Sequence, residues 1–213
     1  MNFEKGHIYH IYNQGNNRQD IFFSNENYWF FLKKIETQIL PYADILAWCL
    51  MPNHFHLMVH VNEIEIDEKL ILGRSAKSGC DSKSRPDLDS KSRSDLSGRM
   101  ISFNKSIGIM LASYTRAINN QQGWSGSLFR KETKAICLTL PDCISPAWYT
   151  VFGITSINHI SPEKQYPNIC FNYILYNPVK DGLVKKPEDW EFSSFLGISG
   201  IRNDNLINLN RIK

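Results

Sequence analysis

The sequence contains no CxxC pair, and its five cysteines (Cys49, Cys80, Cys137, Cys143, Cys170) are scattered and odd in number. That excludes a disulfide framework or a thiolate zinc site as the organising device and leaves free, mostly buried thiols. No stretch approaches the roughly 18 uninterrupted apolar residues that a membrane span requires. The opening MNFEKGHIYH also lacks the apolar run of a secretory signal. A cytoplasmic protein with no membrane partner is expected. A large charge excess is missing too: 24 Lys and Arg stand against 21 Asp and Glu, a net +3. Such a balance permits a nucleic-acid partner without arguing for one.

What is present is core material, 42% hydrophobic residues in 213, enough for one folded unit. The run His7 to Asn13 is β-branched and aromatic and ends in the polar QGNNRQ, which reads as a strand and a loop. Ser24 stands as N-cap to a helix with Tyr28, Phe31, Leu32, Ile35 and Ile39 at helical spacing, closed by Pro41. Two apolar runs, Ala43 to Met51 and His54 to Val61, are separated only by Pro52 and Asn53 and predict an antiparallel hairpin. Because proline fixes φ negative, the primed two-residue turns are unavailable and a slightly longer type I connection is expected.

Residues 73–99 change abruptly to Ser, Lys, Arg, Asp and Gly and carry a direct repeat, DSKSRPDL then DSKSRSDL. With almost nothing to bury, this insert reads as a polar linker. A second helix follows, with Ile107, Met110, Leu111, Tyr114, Ala117 and Ile118 in one stripe and Gly123 beyond its end. Thr133 to Leu138 reads as a fourth strand, and a helix from Asn168 to Asn177 is expected to stop at Pro178. The order β-α-β-β-α-β predicts an α+β, ferredoxin-like antiparallel sheet with helices on one face, plus a C-terminal helical extension. The expected division is a main domain over 1–72 and 100–140, the linker over 73–99 and an extension over 141–213 packed on that domain.

His54 and His56 sit two apart in a strand and so project from the same face, opposite Phe55, Leu57 and Val59. Two neutral imidazoles leave a divalent ion with open positions, as phosphodiester chemistry requires, whereas a closed structural zinc site needs more ligands. The spacing alone is also met by histidines with no ligand, and His60 continues the same face. Tyr114, inside an apolar helical stripe, reads by itself as a core residue.

Four blocks together change that reading: YHIYNQGNNRQDIF, CLMPNHFHLMV, SYTRAINNQQGWSGSLFR, and YILYNPVKDGLV with WEFSS. They resemble the REP-associated tyrosine transposases, relatives of the single-tyrosine HUH insertion-sequence transposases. The resemblance implies that His54 and His56 bind Mg²⁺ or Mn²⁺ and that Tyr114 forms a 5′-phosphotyrosine intermediate. The implied substrate is single-stranded DNA, often folded as a hairpin, cut and rejoined by a monomer or homodimer. Insertion-sequence relatives carry a Gln four residues after the tyrosine; here that position is Ile118, which makes Asn119 the candidate third ligand.

Asn13, Asn16, Asn17 and Arg18 are candidates for DNA contact, although Gln14 stands where relatives commonly carry Arg. Lys105, Arg116, Arg130 and Lys134 are candidates for phosphate contact. Asn177, Pro178 and Val179 match a block read as structural. Two alternatives remain open: a DNA-binding module without catalysis, and a metal-dependent hydrolase that uses water in place of the tyrosine.

Overall fold

The structure is a computed structural model that describes residues 1–71, 98–139, 148–151, 154–157 and 162–212. Four strands form the main sheet: β1 (Ile8–Gln14), β2 (Ala43–Met51), β3 (His54–Val61) and β6 (Lys134–Cys137). Their order is β2-β3-β1-β6 and every described pairing is antiparallel, the arrangement expected of the ferredoxin-like pattern. A small ribbon, β4 (Glu65–Asp67) with β5 (Met100–Ser102), holds together the two points at which the chain enters and leaves the polar insert. Residues 72–97, and with them all but the last two positions of the linker expected over 73–99, lie outside the described residues. A separate hairpin pairs β7 (Trp148–Val151) with β8 (Ile154–Ile157).

The β2–β3 connection departs from expectation. Met51 pairs directly with His54, so only Pro52 and Asn53 form the turn, and neither has a positive φ. Contacts from outside replace the missing primed geometry: the Pro52 carbonyl accepts from Ile21 and Phe22, the Asn53 carbonyl from Gly15, and the Asn53 amide donates to Arg18. Within β2 the register slips between Ile45 and Ala47. One extra residue re-phases the strand, so Ile45, Trp48 and Leu50 all reach one core while Ala47, Cys49 and Met51 face the other.

Helices α1 (Asn25–Gln38) and α2 (Phe103–Gln122) cover the first face. Their apolar residues Phe31, Ile35, Ile107, Met110 and Tyr114 pack against Tyr9, Ile11, Phe55, Leu57 and Val59 of the sheet. The Ser102 side chain accepts from the Lys105 amide at the start of α2, and Gly123, at φ 68°, ends it in the left-handed conformation.

The second face is covered as well, by part of the C-terminal extension that was expected to pack on the domain. Helix α3 (Pro162–Lys180) lays Cys170, Ile174 and Leu175 on Ala47, Cys49, Met51 and Met58. It is longer than expected because Pro178 falls in the last turn, and the carbonyls of Asn177, Pro178 and Val179 accept from the residues that follow it. After α3 the WEFSS segment runs along the outer edge of β2. Leu50 donates to Phe192, Ser194 and Trp48 exchange bonds, and the Trp190 indole donates to Leu50, so that edge is closed. A short helix, α4 (Phe195–Ile198), follows. Cys49, Cys137 and Cys170 are free and buried. Among the described residues no helix is long and apolar enough to cross a membrane.

Candidate functional site

Strand alternation puts His54 and His56 on the α3 side of the sheet, while Phe55 and Leu57 between and beyond them enter the opposite core. The imidazoles are fixed from behind. His54 Nδ1 lies 2.5 Å from Asn53 Oδ1 and His56 Nδ1 lies 2.9 Å from His10 Nε2. Both His54 nitrogens face an amide oxygen, which can only accept; a neutral ring has one proton to give, and the shorter contact, to Asn53, assigns it to Nδ1 and leaves the lone pair on Nε2. For His56 the same tautomer follows from the other nitrogen: Asn177 Nδ2 can only donate, so the His56 Nε2 that faces it carries the lone pair.

Both free Nε2 atoms reach the same side chain. His54 Nε2 is 3.3 Å from Asn177 Oδ1, and His56 Nε2 is 3.5 Å from Asn177 Nδ2. Two imidazole nitrogens brought together at one amide side chain would suit a divalent ion with open positions, and the bonds behind the rings orient the imidazoles. Among the described residues no three His, Cys, Asp or Glu side chains cluster in this way. The side chain that both Nε2 atoms reach is the Asn177 amide, whose oxygen is a candidate third donor.

One helical turn before Asn177, Tyr173 stands edge-on to His56, ring centroids 5.3 Å apart at 79°, with Lys180 Nζ 5.0 Å over its ring. Tyr173 is 38% exposed, so its phenol is open to a ligand. Burial raises its pKa above the ordinary phenol value and the Asn177 hydrogen bond lowers it again in part. Tyr12, paired in register with His56, borders the same patch.

The site histidines are held neutral. Burial lowers the pKa of His10 to about 4. It lowers that of His54, against raising contributions from the Asn177 hydrogen bond and Asp181. His56 falls well below the ordinary value, through burial first and then the charges of His10 and His54. Neutral imidazoles are the metal-binding form.

The structure does not bring Tyr114 to this centre. It lies behind the sheet with 0% exposure, ringed by Phe22, Phe30, Phe31 and Phe129, and its hydroxyl donates 2.7 Å to the Ile21 carbonyl. Burial, with Tyr28 nearby, pushes its pKa far up. Asn119 belongs to the same side: its side chain donates to Gly126 and its carbonyl accepts from Gly123 and Trp124, which fastens the end of α2. Neither residue is within reach of the histidine pair, because the sheet separates them.

The sequence reading did not connect Tyr173 or His10 with the histidine pair, and it took Asn177 as structural. The signal was present in YILYN. The amide sought four residues after a tyrosine is absent after Tyr114, where Ile118 stands, but present after Tyr173 as Asn177.

The expected DNA-contact residues divide into several groups. Asn13 is buried and spends its amide on Arg130, Thr133 and Gln14, so it positions a segment. Asn16 holds the Ser127 carbonyl. Asn17 and Arg18 are exposed and both have positive φ, 54° and 60°, in a tight turn beside Asn53. Lys134 is exposed, pairs with Glu132 at 2.8 Å and stands beside Tyr12 in the sheet. Arg116 and Arg130 share a groove on the helix side, and Lys105 is exposed in the first turn of α2.

Neither a protein-family model nor a curated protein matches the chain. A solved structure does: that of a REP-associated tyrosine transposase bound to a REP hairpin. It is 18% identical over 98% of this chain and 87% of that one, with a TM-score of 0.51, and at that identity it shows a shared fold.

Proposed function

We propose that the chain is a metal-dependent single-strand DNA nuclease and strand transferase of the REP-associated tyrosine transposase type, with Tyr173 as nucleophile. The observation that carries this reading is the convergence of His54, His56 and Asn177 beside the open phenol of Tyr173. The four blocks of sequence resemblance support it. So does the shared fold with a protein solved on a REP hairpin.

His54, His56 and Asn177 would hold a Mg²⁺ or Mn²⁺ ion, which would supply positive charge to a nonbridging phosphate oxygen. The chain's own groups do the rest. His10 and Asn53 keep the imidazoles turned toward the phosphate, and Asn177 ties Tyr173's helix to the histidine pair. The Tyr173 oxygen attacks phosphorus and forms a 5′-phosphotyrosine ester while the bond to the 3′ oxygen breaks. The phenol loses its proton and the departing 3′ oxygen gains one, ending as a hydroxyl. Because the ester conserves bond energy, a free 3′-hydroxyl can reverse the step and join strands with no nucleotide cofactor.

Incubating the protein with labelled hairpin DNA carrying a single-stranded flank and Mn²⁺, followed by a denaturing gel, tests this. An adduct is expected for wild type, Tyr114→Phe and Tyr12→Phe, and none for Tyr173→Phe. An adduct surviving in Tyr173→Phe overturns the assignment. Cut DNA with free 5′-phosphate ends and no adduct in any protein would make water the nucleophile.

A further inference from the structure

On the far side of the sheet from the histidines, Arg116 of α2 and Arg130 and Lys131 of the segment ahead of β6 line one groove of about 640 Å³. No Asp or Glu lines it, and all three cations are exposed. Among the described residues none of the three forms an ion pair, whereas Lys5, Lys33, Lys134 and Arg211 each meet a carboxylate. Gathering unpaired like charges is unfavourable unless a polyanion neutralises them. The groove also holds Trp124, 45% exposed, fixed by Phe23 edge-on at 5.4 Å and by its amide bond to the Asn119 carbonyl.

Cations beside an exposed indole select among polyanions. Phosphates meet the former and an unpaired base stacks on the latter, whereas a closed duplex hides its base faces. The groove also connects with the histidine centre. The Arg130 amide donates to Gln14, which pairs with His54. On β1, Tyr12 pairs with Lys134 on one side and His56 on the other, so the β6 edge lies about 10 Å, two strand spacings, from His56. Among the described residues no strand covers the outer edge of β6.

We propose that this groove is a second nucleic-acid subsite, taking an unpaired stretch of the DNA strand that reaches the histidine centre over the β6 edge. It rests on the nuclease reading above for the identity of the polyanion. It adds a place for the unpaired strand, and it adds Lys131 and Trp124 to the Arg116 and Arg130 already expected to contact phosphate.

The test is fluorescence anisotropy of the full chain with a hairpin carrying a single-stranded flank and with the same hairpin blunt-ended, at several salt concentrations. Arg116→Gln with Lys131→Gln should lower the salt slope for flanked DNA by about 1.4, roughly 0.7 for each lost contact to a single strand. Trp124→Ala should weaken flanked DNA about tenfold or more. Blunt hairpin affinity should stay at the wild-type value, and melting temperatures should show that the surface variants fold. Unchanged affinity and salt slope for flanked DNA overturn the proposal, as does equal loss for the blunt hairpin, which would make duplex the occupant. So does a wild-type protein that binds neither DNA. Failure of the nuclease reading is read separately, as absence of a Tyr173 adduct while the groove variants still lose flanked DNA.

Discussion

On the α1–α2 side of the sheet Tyr114 is enclosed by four phenylalanines and spends its hydroxyl on a backbone carbonyl; on the α3 side Tyr173 stands half open against His56, one turn ahead of an amide shared by two histidines. Both tyrosines lie on helices packed on the same sheet. What separates them is the polarity of the strand residues beneath: Phe55 and Leu57 on one face, His54 and His56 on the other. A single strand thus builds a dry core on one face and a histidine-bearing face on the other, because its side chains alternate.

The comparison can be broken in several places. Tyr114→Ala has the largest expected effect, a loss of about 3–5 kcal/mol of stability in urea unfolding from the cavity left in a closed core. Adduct yield per folded molecule should not change. A drop in adduct larger than the drop in folded fraction would return Tyr114 to the chemistry.

Acid should act through the other face. His10 falls from its ordinary value to about 4 in the folded protein, so the unfolded chain binds more protons between pH 6.5 and 4. Stability is then full above pH 6.5 and is lost as pH falls through that window, by about 3 kcal/mol for a shift of this size. Urea melts of chelator-treated protein should show the slope, and His10→Phe should flatten it. An unchanged slope in that variant would mean that His10 is not held neutral by burial.

Removing the support behind His56 should cost metal more than it costs the fold. His10→Ala is expected to weaken Mn²⁺ binding about 10- to 100-fold, read by paramagnetic resonance titration, with His10→Gln partly restoring it through its acceptor oxygen. Equal Mn²⁺ affinity in all three proteins would leave His10 a packing residue. The smallest effect belongs to Tyr114→Phe, about 1 kcal/mol of stability for the lost bond to Ile21. Its Mn²⁺ affinity should match wild type.

Much of the framework was readable in the chain. The hairpin strands begin and end at the expected residues, because a continuous apolar run on each side of a proline leaves few alternatives. Gly123 closes α2 as its conformational freedom suggests. The stripe containing Tyr114 correctly described a buried residue; what it could not convey is which sheet face the helix covers, since an apolar stripe carries no address. The site failed to appear for a related reason. His10, His56 and Asn177 meet only through strand register and the docking of α3, contacts that span 46 and 121 residues. The match of NPV to a helix stop concealed the amide inside it. Pro178 falls in the last turn, which leaves Asn177 free to face the histidines.

The placement of Tyr173 and Asn177 on α3 also has a consequence in time. A chain emerging from the ribosome exposes His10, His54 and His56 early and adds the tyrosine and its amide only near the end. A partly synthesised or prematurely stopped product would retain the histidines on the sheet but have no group to join to DNA. On the proposed reading, the ability to break a strand arrives last, after the sheet that would hold that strand is already in place.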